Sequence, residues 1–207
     1  MVITKIEEIS SSRCKVTIDD VFAFVLYKGE LRLYKLAQGR EISEECFQTI
    51  NTVVLPKRAK LRAMNLLAKR EYSTVKLKEK LREGYYSESV INETIRFLEE
   101  NHFLDDFRYA ECYISQYESS RSKQRIRQDL MKVGISTDLI EKAMLQWEDE
   151  NGPIDQQNLI KELLRKRKYD PHEADFKAKQ REFAFLLRKG FTVDEVRKAL
   201  DISTFSV

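Results

Sequence analysis

Glycine and proline are scarce in this chain: six and three residues among 207. That excludes a turn-rich all-β protein and favours helices joined by short connections. So few glycines also leave no phosphate cradle, and neither GxGxxG nor GxxxxGK[ST] occurs. The three cysteines, Cys14, Cys46 and Cys112, are far apart and odd in number. They show no metal-type spacing and read as unpaired thiols of a reducing compartment. The two histidines are His102 and His172. His102 stands near Glu99, Glu100, Asp105 and Asp106, but helix capping and solvated charge account for those carboxylates, and a metal site needs converging ligands. Ser, Cys and His fall in no arrangement that marks a nucleophile. No catalytic residue, cofactor or metal is expected, and no enzymatic activity. No stretch approaches the roughly 20 apolar residues that cross a bilayer. No basic segment followed by an apolar core opens the chain. A monomeric cytoplasmic protein without a membrane partner is the expectation.

What is present is charge and helical periodicity. Charged residues make up 34% and hydrophobic ones 42%. The 37 basic and 34 acidic residues nearly cancel, to +3. Only clustering of the basic residues could indicate an anionic partner. Residues 1–28 read as strands: Cys14, Val16 and Ile18 alternate with polar neighbours, Asp19-Asp20 fits a turn, and Val21 to Tyr27 is rich in β-formers. Val2 to Ile9 can add a third strand. A short helix is expected over Glu30 to Leu36, closed near Gly39, and another from Ser43 with Phe47, Ile50 and Val54 inward. Pro56 is expected to interrupt that helix or to begin the next.

Beyond Pro56 the chain is helical and repeats. Leu81, Leu130 and Leu186 align; four residues on stand Tyr85, Gly134 and Gly190, then Tyr86, Ile135 and Phe191. The pairs Ile91/Ile95, Ile140/Met144 and Val196/Leu200 complete the pattern. Ser73, Ser87, Ser122, Ser136 and Thr192 stand where N-caps belong, and Thr192 to Glu195 fits a capping box. Asp170-Pro171 fits an N-cap followed by proline, with His172 exposed in the first turn. Asn151-Gly152-Pro153 is the strongest break. The fold expected is mainly α: tandem three-helix repeats in an extended curved array behind a small N-terminal β-hairpin segment. Its parts are 1–55 (hairpin and short helices) and repeats at 56–105, 106–152 and 153–207. Gly134→Val is expected to cost more than Gly84→Val, since only Gly134 falls at the joint.

The basic residues gather in each repeat. Lys57, Arg58, Lys60 and Arg62 form one cluster, followed by Lys69 and Arg70; Arg121, Lys123, Arg125 and Arg127 form a second, with Lys132 on the same outer face; Arg165, Lys166, Arg167 and Lys168 form a third. Two readings stand side by side: solvated helix faces, or a contact surface shared by the repeats. Tyr72, Tyr113, Tyr117 and Tyr169 lie nearby, placed for core or rim packing rather than for stacking on bases. Trp147 is expected to pack at the end of the second repeat.

The run LDDFRYAECY from Leu104, followed by RIRQDLMKVGI from Arg125, resembles the RecX family of bacterial regulatory proteins. The resemblance covers about Ala59 to Met144. It implies a regulator of the RecA recombinase that binds RecA filaments on single-stranded DNA, settles in the filament groove and suppresses ATP hydrolysis and strand exchange. Lys57, Arg58, Arg62, Arg70, Arg121, Lys123, Arg125, Arg127, Lys132 and Arg165 to Lys168 are the residues expected at the contact, with weak direct DNA binding beside it. A helical module that acts directly on DNA or RNA is the alternative, and a purely structural interaction array a third reading.

Overall fold

The computed structural model describes residues 1–170 and 174–200. The chain divides into two compact units, Met1–Asp105 and Asp106–Val207. Pro171 and His172 lie outside the described residues, as does the end of the chain beyond 200.

The first unit opens with an antiparallel sheet in the order β1 (Ile3–Glu8), β2 (Arg13–Ile18), β3 (Val21–Tyr27). The third strand from Val2 to Ile9 is therefore present. Asp19 and Asp20 both take positive φ, 46° and 64°. A two-residue turn of that hand matches the twist of the paired strands, and short acidic side chains tolerate it. Cys14, Val16 and Ile18 of β2 alternate inward and are buried with Phe24 and Leu26 of β3.

Helix α1 spans Lys28–Leu33, starting and ending earlier than expected. It closes at Lys35 (φ 53°), whose neighbour Leu36 donates back to the Leu31 carbonyl. Gly39 serves a separate turn: its N–H donates to the Ile3 carbonyl on β1. Ser43 caps α2 (Glu44–Thr49) through the Cys46 N–H. Pro56 does not break the helical course of the chain; it stands in the first turn of the next helix, the second of the two expected outcomes. A wide π-helical turn, Ile50–Val54, joins α2 directly to α3 (Leu55–Leu67), and the Leu55 N–H reaches five residues back to Ile50. Proline has no N–H to give and its ring crowds the carbonyl four residues earlier. The widened turn meets both demands while keeping the chain helical.

Helices α4 (Thr74–Arg82) and α5 (Glu88–Glu100) complete the first three-helix repeat, and its core is continuous with the sheet. The second unit holds two further repeats: α6 (Asp106–Tyr117), α7 (Lys123–Lys132) and α8 (Thr137–Asn151), then α9 (Gln156–Lys166), α10 (Phe176–Arg188) and α11 (Val193–Ala199). Each has its own apolar core. Trp147 packs on the first of these cores, and its Nε1–H donates to Ser115 at 2.7 Å. Asp175 caps α10 through the Ala178 N–H.

The repeat register holds atom for atom. Leu81, Leu130 and Leu186 are all fully buried. Tyr85, Gly134 and Gly190 all take positive φ: 65°, 91° and 88°. The next residues, Tyr86, Ile135 and Phe191, each donate to the carbonyl of the aligned leucine at 3.2–3.4 Å. This closure satisfies carbonyls that a helix end otherwise leaves open and brings the following apolar residue back onto the core. Ser87, Ser136 and Thr192 then cap the third helix of each repeat. Each buried leucine or isoleucine in this frame contributes about 2 kcal/mol over an exposed one.

Candidate partner-binding surface

In three dimensions each run of cations divides between ties within the chain and exposed groups. In the first cluster, Lys57 is exposed and makes no ion pair among the described residues, but Arg58 is a structural tie. Its Nη1 donates to Glu30 at 3.0 Å and to the Val25 carbonyl at 3.1 Å, and its guanidinium lies 4.3 Å from the Tyr27 ring centre. Arg58 thus joins α3 to β3 and α1. Lys60 reaches Glu93 on α5 at 2.8 Å, and Arg62 donates to the Lys80 carbonyl at 3.4 Å. Arg70 stacks on Tyr72, whose ring is buried.

The second cluster closes around one carboxylate. Asp129 on α7 receives Arg121 at 2.7 Å and Arg125 at 3.0 Å, with Lys132 at 3.9 Å. The Arg121 guanidinium also donates to the Tyr113 hydroxyl and lies 3.7 Å from the Tyr117 ring centre. Burial first, then the adjacent Asp129 carboxylate, push the Tyr113 phenol up to about 12. That phenol therefore stays protonated as part of a fixed network. Arg121, Arg125 and Lys132 do lie together, as expected; Asp129, which gathers them, carried no mark in the sequence. Arg127 faces away and forms a two-armed pair with Glu141 on α8, at 2.6 and 3.0 Å. Through that hydrogen bond the Glu141 carboxyl titrates below its usual range. Lys123 pairs with Glu148 at 2.5 Å.

The third cluster is divided in the same way. Arg165 pairs with Glu162 one helical turn back. Arg167 clasps Glu182 of α10 with two nitrogens, at 2.5 and 2.9 Å, and lies over the Phe185 ring. Glu182 is only 3% exposed, and Arg181 adds a third contact at 3.3 Å. Lys168 takes φ 55° and closes α9, while Lys166 is exposed and makes no ion pair among the described residues.

Within the second unit, a cleft of about 400 Å³ lies where the joint of the third repeat meets the start of α7. Arg121, Ser122 and Arg125 line one side, and Leu163, Arg188, Lys189 and Phe191 the other. Ser122 holds the two sides together. Its hydroxyl accepts from the Arg125 N–H at 3.2 Å and donates to the Lys189 carbonyl at 2.8 Å. Gly190 is required by this closeness as well as by its φ, since a Cβ there would stand 2.7 Å from the Ser122 hydroxyl. Arg188 and Lys189 are exposed and form no ion pair among the described residues. Sequence reasoning passed over both, yet the register could have found Arg188, which stands where Lys132 stands in the second repeat. Four cations against one carboxylate make a site for anionic oxygens, and the guanidinium fork suits carboxylates and phosphates alike. Nothing in the cleft is placed to act as a nucleophile. Among the described residues, no three His, Cys, Asp or Glu side chains are grouped to hold a metal, and no helix is long and apolar enough to cross a membrane.

Comparison with known proteins places this architecture. Family models for the first, second and third three-helix domains of RecX match residues 59–98, 105–144 and 154–200. The regulatory protein RecX of Caldanaerobacter subterraneus is 26% identical over 98% of this chain and 100% of its own length. That of Haemophilus influenzae is 32% identical over 64% of this chain and 86% of its own length. The crystal structure of a regulatory protein RecX superposes with a TM-score of 0.62 at 23% identity, covering 97% of this chain and 98% of that one, a likeness of fold. With each of its three helical repeats matched in order by one family's domains, the chain belongs to the RecX family of regulatory proteins.

Proposed function

We propose that this chain regulates the RecA recombinase. It binds the RecA filament on single-stranded DNA and restrains ATP hydrolysis and strand exchange. On this reading it acts as a cytoplasmic monomer, with weak direct affinity for DNA. The name carried by its relatives supports the class of activity. One structural observation favours a protein over bare nucleic acid as the principal target: most cations of the three sequence clusters are paired within the chain. Arg58, Lys60, Arg121, Lys123, Arg125, Arg127, Arg165 and Arg167 all pair with carboxylates of the chain, Arg121 and Arg125 with the same one. A polyelectrolyte surface gains affinity by displacing counterions from many phosphates, and cations already neutralised contribute little to that. The cleft with Arg188 and Lys189, the unpaired Lys57 and Lys166, and the stacked Arg70 offer a few separated contacts instead. Several weak contacts on successive repeats add through effective concentration when the target is itself a repeating filament.

The test is the ATPase rate of RecA on single-stranded DNA as the chain is added. The rate should fall with increasing chain. The Arg188→Glu, Lys189→Glu double variant should require about tenfold more protein for the same effect, as expected when charged contacts are reversed. A rate indifferent to the wild-type chain would remove the proposal.

A further inference from the structure

A second cleft, of about 320 Å³, lies wholly within the first unit, apart from the surface described above. One stripe of α3, from Arg58 through Leu61, Arg62 and Asn65 to Leu66, forms its long wall, and Lys69, just past the end of that helix, extends it. Arg13 at the start of β2, Tyr27 at the end of β3, and Gly84 and Tyr86 at the joint of the repeat close the other sides. Arg58 is held by Glu30, but the other three cations differ from those of the α7 network. Arg13 and Lys69 make no ion pair among the described residues. Among the described residues Arg62 reaches the Lys80 carbonyl alone, and its buried Nε has no hydrogen-bond partner. A buried guanidinium nitrogen without an acceptor costs free energy that an anionic ligand would recover.

The surroundings choose among anions. A nucleic-acid strand needs free aromatic faces on which bases stack. Here one face of the Tyr27 ring is covered by Arg58, and Tyr86 is half-buried against the core, its phenol raised by burial. Leu61, by contrast, is 61% exposed at the rim, with Leu66 half-buried beside it. Three unpaired cations converging beside exposed aliphatic side chains match carboxylates and an apolar side chain on one short segment. The α3 stripe from Arg58 to Leu66 runs roughly 12 Å, the reach of about four extended residues.

We propose that this cleft docks an acidic peptide segment of a protein partner, with glutamate or aspartate set against Arg13, Arg62 and Lys69 and an aliphatic side chain against Leu61. The experiment uses the full chain, a fluorescein-labelled peptide of alternating glutamate and leucine, its glutamine counterpart, and labelled oligothymidylate, all at one ionic strength. The glutamate peptide should bind, and the glutamine peptide should bind about tenfold more weakly. Lys69→Glu, an exposed position beyond the end of α3, and Arg62→Glu should each lower affinity for the glutamate peptide about tenfold. Leu61→Ser should lower it by a smaller factor, with the charge dependence unchanged. Equal binding of the two peptides, or full affinity in Lys69→Glu, would overturn the proposal. So would oligothymidylate binding more tightly than the glutamate peptide and being lost in the same variants, since the cleft would then be a nucleic-acid site.

Discussion

Two glycines and a tyrosine at the repeat joints separate conformation from space. Gly134 sits at φ 91°, where a β-branched side chain is strongly disfavoured, so Gly134→Val should destabilise the second unit by about 2 kcal/mol. Gly84 carries no such φ, and sequence register alone made it the tolerant position. The structure removes that tolerance: a Cβ there would stand 2.8 Å from the Tyr86 ring and 3.0 Å from the Leu81 carbonyl oxygen. Gly84→Val should therefore also cost about 2 kcal/mol, and urea midpoints of the two variants should fall by similar amounts. Tyr85 occupies the left-handed position that glycine fills in the other two repeats. Its edge-on contact with Phe22 partly offsets the strain. Tyr85→Gly should leave stability unchanged or raise it by up to about 1 kcal/mol; a clear loss would mean the Phe22 contact outweighs the strain.

Another residue-scale consequence is a pH dependence centred on Glu182. Hydrogen bonds from Arg167 chiefly, and from Arg181, hold its carboxyl below the usual range against the opposing effect of burial. A depressed folded value contributes stability that is complete above the unfolded value and drains away as pH falls through the folded one. Urea midpoints of the wild type and Arg167→Gln should thus lie furthest apart near neutral pH and converge between about pH 5 and pH 3. Curves that stay parallel over that range would show that Glu182 does not depend on Arg167.

At the scale of the element, much was legible in the sequence because helix ends are written in local code. Ser73, Ser87, Ser122, Ser136 and Thr192 all cap the helices they precede, and the aligned leucines and joint residues fall in one register. Local code fails where geometry depends on distant partners. Glu141, Glu148 and Glu182 neutralise arginines and lysines 14 to 25 positions away, which no count of basic residues along the chain reveals. The turn at Ile50–Val54 failed for a different reason, since proline ordinarily ends a helix and the widened turn that admits it leaves no residue signature. Ser122 shows a local signal gaining a second role. It caps α7 and, almost fully buried, also donates across to Lys189. Ser122→Ala should cost about 2 kcal/mol, losing the cap and leaving the Lys189 carbonyl short of a donor. Ser87→Ala, an exposed cap on α5, should cost about 1 kcal/mol. Equal losses in urea unfolding would mean that the bond to Lys189 contributes nothing.

For the whole molecule, the distribution of charge decides between the regulator and the nucleic-acid module. If bare single strands were the main target, affinity would fall steeply with salt, by a slope of about −0.7 for each phosphate neutralised. Most of the chain's clustered cations already face its own carboxylates, so few such contacts are open. We expect weak binding to bare single-stranded DNA at physiological salt, with a slope of about −2 from the Arg188 and Lys189 region and the scattered unpaired lysines. The RecA filament on the same DNA should bind tightly and respond less to salt, because buried protein contact is not screened. Asp129→Asn sharpens the comparison. It releases Arg121, Arg125 and Lys132 from their shared carboxylate. That change should steepen the salt slope for bare DNA by about 1 to 2 and cost about 1 kcal/mol of stability, small because these arginines are partly solvated. Titrations of both ligands from low to physiological salt, with wild type and Asp129→Asn side by side, give the answer. If the wild type binds the bare strand as tightly as the filament and with the same slope, direct action on nucleic acid replaces regulation of RecA as the better reading.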